Sequence, residues 1–363
     1  MEIISLQLLK HRQPFETESG FIFPELDIAY HTYGRLNLAQ DNVIWVCHAL
    51  TASSDAADWW DGLIGSGKLF DPERYFIVCA NMLGSSYGAT NSSSINPFNG
   101  KKYSRNFPLI TIRDMVRSHQ ILQQHLGIKR IHLILGGSMG GQQALEWAVD
   151  DPNLFDRVAI VASNAKHSAW GIAFNESQRM ALEADPTLYT DAEEAGRKGL
   201  EAARAIAMLS YRHYISYEQT QTDTDGRIDD FQASSYQRYQ GHKLWKRFDA
   251  GAYITLGKAM DNHDLGRGRG GLVAALQSIK APTLVVGIQS DVLFPVSEQK
   301  FIAQHILNAQ FEVIDSIYGH DGFLIEYETL THLLAKFLTD GVQETAALNG
   351  QLDYSAVPGT ELF

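Results

Sequence analysis

Cysteine is nearly absent from this chain of 363 residues: there are two, Cys47 and Cys79. Both sit in apolar runs, Val43–His48 and Tyr75–Ala80. They read as small buried hydrophobes, which excludes a disulfide scaffold. No Cys/His grouping has zinc spacing, so no metal site is expected. No apolar run reaches the length of a membrane span. The first residues, Met1-Glu-Ile-Ile-Ser-Leu-Gln, lack the basic start and long apolar stretch of a secretory signal, so a cytoplasmic location is expected. An excess of basic charge is also missing. Thirty Lys and Arg face 42 Asp and Glu, a net charge of −12, which argues against nucleic acid or an anionic membrane as the main partner. Neither an internal repeat nor a low-complexity tract is present. The remainder is an ordinary globular composition, 45% hydrophobic and 20% charged, long enough for one large domain or a core with one insertion.

One stretch organises the rest: Arg130-Ile-His-Leu-Ile-Leu-Gly-Gly-Ser138-Met-Gly-Gly-Gln-Gln-Ala-Leu-Glu-Trp147. Residues 130–135 have the pattern of a strand entering a buried sheet. Residues 139–149 put Ala144, Leu145, Ala148 and Val149 at helical spacing. Between them lies Gly136-Gly137-Ser138-Met139-Gly140, a G-x-S-x-G turn from strand to helix. A turn this tight holds the serine on a strained elbow with its hydroxyl exposed. The following helix offers free N–H groups and the positive end of its dipole to a developing oxyanion. Ser138 is therefore the candidate nucleophile.

Around it, buried strands alternate with helices, the mark of a doubly wound, mostly parallel α/β sheet. Phe21–Tyr33 reads as a strand pair at the sheet edge. Val43–His48, Tyr75–Ala80 and Val158–Ala162 read as central strands, and Thr111–Leu126 as an amphipathic helix. Residues 81–108 have no period and form a long segment of the kind that usually serves function. From about residue 166 to 280 only helical segments appear, over 174–184, 191–211, 229–248 and 250–261. The α/β pattern returns with strand 282–288, helix 297–307, strand 311–315 and helix 326–338. The expected organisation is an α/β core from residues 1–165 and 281–345, a helical lid inserted over 166–280, and a polar tail over 346–363.

A serine hydroxyl needs a base, and the base an orienting carboxylate. In this architecture they follow in the order Ser, Asp/Glu, His, at the ends of later strands. Asp291 follows strand 282–288, and His320 follows strand 311–315. His263 is a rival base, but it precedes Asp291 and lies in the inserted block. Asp291 could instead be a turn aspartate, although Ser297 is the better cap for the helix that follows. The expected triad is Ser138, Asp291 and His320. Two backbone donors should line the oxyanion hole: Met139 N–H, and Leu50 N–H from the loop after strand 43–48. These parts imply acyl transfer through an acyl-serine; the acceptor does not follow from them.

The elbow, with its Gly-Gly-Ser-Met-Gly-Gly-x-x-Ala-Leu-Glu-Trp pattern, resembles that of the homoserine O-acetyltransferases, α/β-hydrolase-fold enzymes of methionine biosynthesis. The likeness extends to His48-Ala-Leu-Thr51, Trp59-Trp-Asp-Gly-Leu-Ile-Gly65, Ser94-Ile-Asn-Pro97 and Ile112-Arg-Asp-Met-Val116. It continues through Arg247-Phe-Asp-Ala-Gly251, His263-Asp-Leu-Gly-Arg-Gly-Arg-Gly-Gly271 and Tyr318-Gly-His-Asp-Gly-Phe-Leu324, covering roughly residues 10–340 in colinear order. The resemblance implies a ping-pong reaction in which acetyl-CoA acylates Ser138 and L-homoserine accepts the acetyl group, with His320 as base. It implies no permanently bound cofactor, acetyl-CoA as co-substrate, and a homodimer formed through the helical lid. It also implies acceptor binding by Arg204, Tyr211 and Asp321. A guanidinium suits the acceptor's carboxylate and an aspartate its ammonium. From the residues alone, Arg204 equally suits a surface arginine paired with Glu201 or Asp191, and Tyr211 a core residue. Arg267 and Arg269 could meet CoA phosphates, but a hinge returning the chain from lid to core is the preferred reading.

One segment departs from the family pattern. Where relatives usually show Leu-Gly-Gly-Cys-x-Gly-Ser-Thr-Gly-Pro, this chain has Leu83-Gly-Ser-Ser-Tyr-Gly-Ala-Thr-Asn-Ser92. That keeps open a succinyl-CoA donor or an L-serine acceptor. A serine esterase of the same fold, in which water rather than an alcohol takes the acyl group, is a separate alternative that the lid and the Arg204/Asp321 pair disfavour. A non-catalytic scaffold would be expected to have lost a triad member, and none is lost here.

Overall fold

The computed structural model describes residues 5–339. Its centre is an eight-stranded sheet: β1 (Gln7–His11), β2 (Leu26–Tyr33), β3 (Val43–Cys47), β4 (Phe76–Ala80), β5 (Leu133–Gly137), β6 (Val158–Val161), β7 (Thr283–Ile288) and β8 (Ala309–Ile314). Their order across the sheet is β1-β2-β4-β3-β5-β6-β7-β8. β1 and β2 pair antiparallel, as do β2 and β4, and every pair from β4 onward is parallel. The parallel strands β3, β4, β5, β6 and β7 are buried along their whole length. Burial on both faces is why they read as continuous apolar runs.

Helices α1 (Ile112–His125) and α2 (Met139–Asp150) pack beside the sheet. Thr111 starts α1 with a reciprocal capping box to Asp114. Trp45 of β3 meets Trp147 of α2 edge to face, with ring centroids 4.9 Å apart and both rings buried. That contact joins the elbow helix to the centre of the sheet.

Between β6 and β7 the chain leaves the sheet for five helices: α3 (Ala169–Glu183), α4 (Arg197–Tyr211), α5 (Tyr214–Gln221), α6 (Gln232–Trp245) and α7 (Ala250–Asp261). The two ends of this excursion pair with each other. His167 N–H donates to the His263 carbonyl at 3.0 Å, and Leu265 N–H to the Ala165 carbonyl at 2.9 Å. A short helix, α8 (Leu272–Gln277), then leads back to the sheet, which is completed with α9 (Val296–His305) and α10 (Tyr327–Thr339).

Several expectations need correction. Phe21–Tyr33 is not an edge pair: Ile22–Phe23 pairs with Phe15–Glu16, and β2 lies inside the sheet between β1 and β4. The true edge, β1, alternates only between half-buried and exposed positions, so its period is faint. The helical segment expected over 229–248 is α6 alone, and α5 precedes it as a separate helix. Pro295, not Ser297, stands at the start of α9. The polar tail over 346–363, including Tyr354 and Phe363, lies outside the described residues.

Besides the expected base His320, four histidines, His48, His119, His167 and His263, are buried among the described residues. Burial holds the first three down to about 4 and His263 to about 3. Unfolded, each would titrate near the ordinary value of about 6.5. As pH falls through that value the unfolded chain takes up protons that the native chain refuses, so stability is lost between about pH 6.5 and 4. Urea denaturation at a series of pH values should show that loss. His263→Asn should reduce the proton uptake on unfolding by about one. A stability curve flat across this window would contradict the burial of these rings.

Candidate active site

Ser138 sits between β5 and α2 with φ 56° and ψ −126°, a positive-φ backbone outside the left-handed helical well that residues with a side chain rarely adopt. The strain is held by neighbours. Ser138 N–H donates to the Val161 carbonyl of β6 at 2.9 Å, and its own carbonyl accepts from Ser163 Oγ at 2.7 Å. Two residues on, Gly140 lies against β3 so closely that a Cβ there would be 2.0 Å from the Cys47 carbonyl oxygen. The glycine is needed for contact between two backbones.

Parallel strands deliver the partners. Asp291 follows β7 and His320 follows β8, so the register of the sheet carries both to the same end as the elbow. Asp291 Oδ2 accepts from His320 Nδ1 at 2.6 Å, and His320 Nε2 is 2.8 Å from Ser138 Oγ. All three residues are buried. With Nδ1 donating to the carboxylate, Nε2 of the neutral ring is the acceptor facing the hydroxyl. The other oxygen, Asp291 Oδ1, accepts from Leu293 N–H at 2.8 Å and Phe294 N–H at 2.9 Å. Asp291 is therefore both a turn aspartate and the partner of His320. The imidazole is enclosed by Phe294, stacked at 5.1 Å, and by Phe323 and Tyr211 at 5.4 and 5.7 Å. His263 is not in this group: its Nε2 donates to the Asn164 carbonyl at 3.2 Å.

The loop after β3 is fixed from beneath. Met82 N–H donates to His48 Nε2 at 3.1 Å, which leaves the proton on Nδ1 to reach the Ala49 carbonyl at 2.9 Å. The Gln143 amide of α2 donates to the carbonyls of both His48 and Met139, at 3.2 and 3.1 Å. Its own oxygen accepts from His119 Nε2 at 2.9 Å. The loop carrying Leu50 and the first turn carrying Met139 are thus tied to one side chain. Among the described residues, no backbone carbonyl accepts from Leu50 N–H or Met139 N–H. Gln143 lies in the elbow stretch and His48 at the head of His48-Ala-Leu-Thr51, but neither motif carries a local signal of this bracing.

The three remaining candidates gather beside His320. Arg204 holds its guanidinium 5.0 Å over the Tyr211 ring. Glu201, its suggested surface partner, pairs instead with Arg197 and His242. Burial raises the Tyr211 phenol, with the Arg204 charge acting against it. Asp321 forms an ion pair with Arg212, Nε to Oδ2 at 2.9 Å, a partner that sequence reading missed. Burial lifts the Asp321 carboxyl above the usual carboxylate range, opposed by Arg212, Arg204 and His320. Arg267 and Arg269 point elsewhere, to Glu18 at 2.9 Å and Glu146 at 2.5 Å. The divergent 83–92 segment is anchored to the start of α7. Ser86 Oγ accepts from Asp249 N–H at 2.9 Å, and Ser92 Oγ donates to Asp249 Oδ1 at 3.0 Å. Among the described residues no cluster of His, Cys, Asp or Glu could hold a metal, and no helix is long and apolar enough to cross a membrane.

Residues 42–327 match the family model of the alpha/beta hydrolase fold. The chain is 52% identical to a homoserine O-acetyltransferase of Cyclobacterium marinum over 326 residues, covering 90% of this chain and 93% of that one. Among solved structures it is similar to a homoserine O-acetyltransferase from Bacillus anthracis, at 26% identity and TM-score 0.88, covering 95% of this chain and all (100%) of the other. It is also similar to the acetyl esterase MekB, at 27% identity and TM-score 0.83, covering 93% and 97%. The two solved structures are equally distant in sequence, so shape alone does not separate transferase from esterase. The 52% relative does.

The contact at Gly140 is directly testable. A methyl group there must displace the Cys47 backbone, so Gly140→Ala should cost about 1–3 kcal/mol or more. Labelling of Ser138 by a serine-directed fluorophosphonate should be lost in parallel. Wild-type stability and labelling rate together would show that the elbow does not depend on this close approach.

Proposed function

The chain belongs to the homoserine O-acetyltransferase family, and from that membership we propose how its own residues carry out acetyl transfer in methionine biosynthesis. In the first half, Ser138 Oγ attacks the thioester carbonyl of acetyl-CoA while His320 Nε2 takes its proton. The tetrahedral oxyanion accepts hydrogen bonds from Leu50 N–H and Met139 N–H. The carbon–sulfur bond then breaks, the imidazolium returns the proton to the departing thiolate, and acetyl-Ser138 remains. In the second half, His320 removes the proton from the side-chain hydroxyl of L-homoserine, which attacks the acyl-enzyme. As O-acetyl-L-homoserine leaves, the proton goes back to Ser138 Oγ. Asp291 holds the ring in the required tautomer and stabilises its positive charge in both halves.

What carries this reading is the unbroken Asp291–His320–Ser138 chain with both a cation and an anion beside its histidine. Arg204 takes the acceptor's α-carboxylate, Asp321 its α-ammonium, and Tyr211 closes the space between them. Such anchoring lets an alcohol outrun water for the acyl group, which hydrolysis does not need. The helices inserted over 166–280 act as the lid that excludes bulk water. Trp170, Met180, Leu209 and Tyr214 are large apolar side chains left exposed there, which supports a homodimer through the insertion. Two buried free thiols, Cys47 and Cys79, fit a reducing compartment, the cytoplasm.

Release of CoA from acetyl-CoA or succinyl-CoA, with L-homoserine, L-serine or no acceptor, tests the assignment. Fast release is expected only with acetyl-CoA and homoserine together; equal release without an acceptor would mean a hydrolase. Ser138→Ala should lower kcat on the order of 10^4-fold or more with the fold intact. Arg204→Ala should raise the KM for homoserine by roughly 10- to 100-fold, the equivalent of one lost charged contact, and leave that for acetyl-CoA nearly unchanged.

A further inference from the structure

The end of α4 does more than present Tyr211. Its last residue and the two that follow, Tyr211, Arg212 and His213, lie directly on the turn that carries the candidate base. Gly319, immediately before His320, has φ 65° and faces this segment without a side chain. A Cβ on it would stand 2.9 Å from the Arg212 carbonyl carbon, 2.9 Å from His213 N and 3.0 Å from the Tyr211 carbonyl oxygen. Two backbones from opposite parts of the fold are therefore pressed together at this point. On one side of the contact the Tyr211 ring faces His320 at 5.7 Å. On the other, Arg212 Nε lies 2.9 Å from Asp321 Oδ2, an ion pair without the alignment of a hydrogen bond, with the two side chains only 25% and 14% exposed.

We propose that Arg212 is a positioning residue for the acceptor. Its charge, set against Oδ2, holds Asp321 in place and leaves Oδ1 for the ammonium of an incoming α-amino acid. The inference rests on Asp321 being the ammonium seat. A carboxylate next to a catalytic histidine has two cations to choose from once that histidine is protonated. Swung toward His320, Asp321 would compete with Asp291 for the imidazolium and abandon the acceptor. The Arg212 guanidinium holds it away, and backbone contact with Gly319 sets how far Arg212 reaches. With Arg204 and Arg212 both cationic and Asp321 anionic, the seat favours a zwitterion that offers a carboxylate as well as an ammonium. A simple amino alcohol would satisfy only Asp321.

Acylation of Ser138 by acetyl-CoA does not involve this seat, so the two half-reactions separate a positioning role from general damage to the fold. In Arg212→Gln the pre-steady-state burst of CoA release should keep its wild-type rate, while the KM for homoserine rises about tenfold. Arg212→Lys should recover part of that loss. Asp321→Asn should raise the same KM, and the double variant should be no worse than Asp321→Asn alone, because the two residues act as one unit. A thermal melt within a few degrees of wild type accompanies these outcomes. If Asp321→Asn raises the acceptor KM and Arg212→Gln leaves it within twofold, the role given to Arg212 is overturned. If neither variant changes it, Asp321 is not the ammonium seat and the inference falls with that reading. A burst slowed in step with the acceptor step would make Arg212 a structural residue of the His320 turn.

Discussion

Everything at this site depends on one place where two backbones touch. The first turn of α2 can lie against the end of β3 only because Gly140 has nothing to put between itself and the Cys47 carbonyl. That contact brings the nucleophile's helix and the loop following β3 within reach of one side chain, Gln143, which bonds to the carbonyls of His48 and Met139. It also sustains the positive-φ backbone of Ser138, a conformation that costs about 1–3 kcal/mol when nothing compensates. Hydrogen bonds to Val161 and Ser163 of the neighbouring strand region supply the compensation. The strain at Ser138 and the bracing by Gln143 thus both depend on a single close approach.

The second requirement is alignment over long stretches of chain. Ser138, Asp291 and His320 follow β5, β7 and β8, and unbroken parallel pairing from β5 through β6 and β7 to β8 sets the relative height of all three. A helical block of about a hundred residues can sit between β6 and β7 without disturbing this register, because the chain closes its base where Ala165 and His167 pair with His263 and Leu265. On the proposed reading, catalysis and acceptor recognition are in this way divided between parts of the chain. The sheet holds the reacting groups, and α4 of the insertion brings Arg204, Tyr211 and Arg212 to them.

How much of this was legible follows from what writes a signal into sequence. Buried parallel strands and amphipathic helices impose periodicity on their own residues, so β3 to β7, α1 and α2 could be read directly. The G-x-S-x-G elbow likewise records its geometry in local glycines. The edge strand β1 buries little and leaves a weak alternation; α5 is short, with one buried residue, Ser216, and the same applies to its period. Contacts between distant segments leave no periodic trace at all. Nothing in Ser210-Tyr211-Arg212 announces that Arg212 pairs with Asp321, nor in Arg247-Phe-Asp249 that the aspartate anchors Ser86 and Ser92. The expectation of Ser297 as a cap failed for a related reason, since capping preference is weak where Pro295 already fixes the backbone entering α9.

The same scaffold serves an acetyl esterase and a transferase at similar structural distance, so the difference must lie in how the acyl-enzyme is met by its second substrate. Both chemistries need the triad, the strained serine and the oxyanion donors, and none of these tells alcohol from water. Water is small and at high concentration. An acceptor wins only if binding places its hydroxyl at His320 often enough to outweigh that advantage, by an effective molarity well above that of water. An α-amino acid offers two charges of opposite sign on one carbon for this purpose. The ground around His320 offers the complement: a guanidinium over Tyr211, and a carboxylate held by a second guanidinium. An esterase gains nothing from keeping two cations and an anion half-buried, since each costs desolvation free energy. Their presence here is therefore an argument about the acceptor, and it points to transfer.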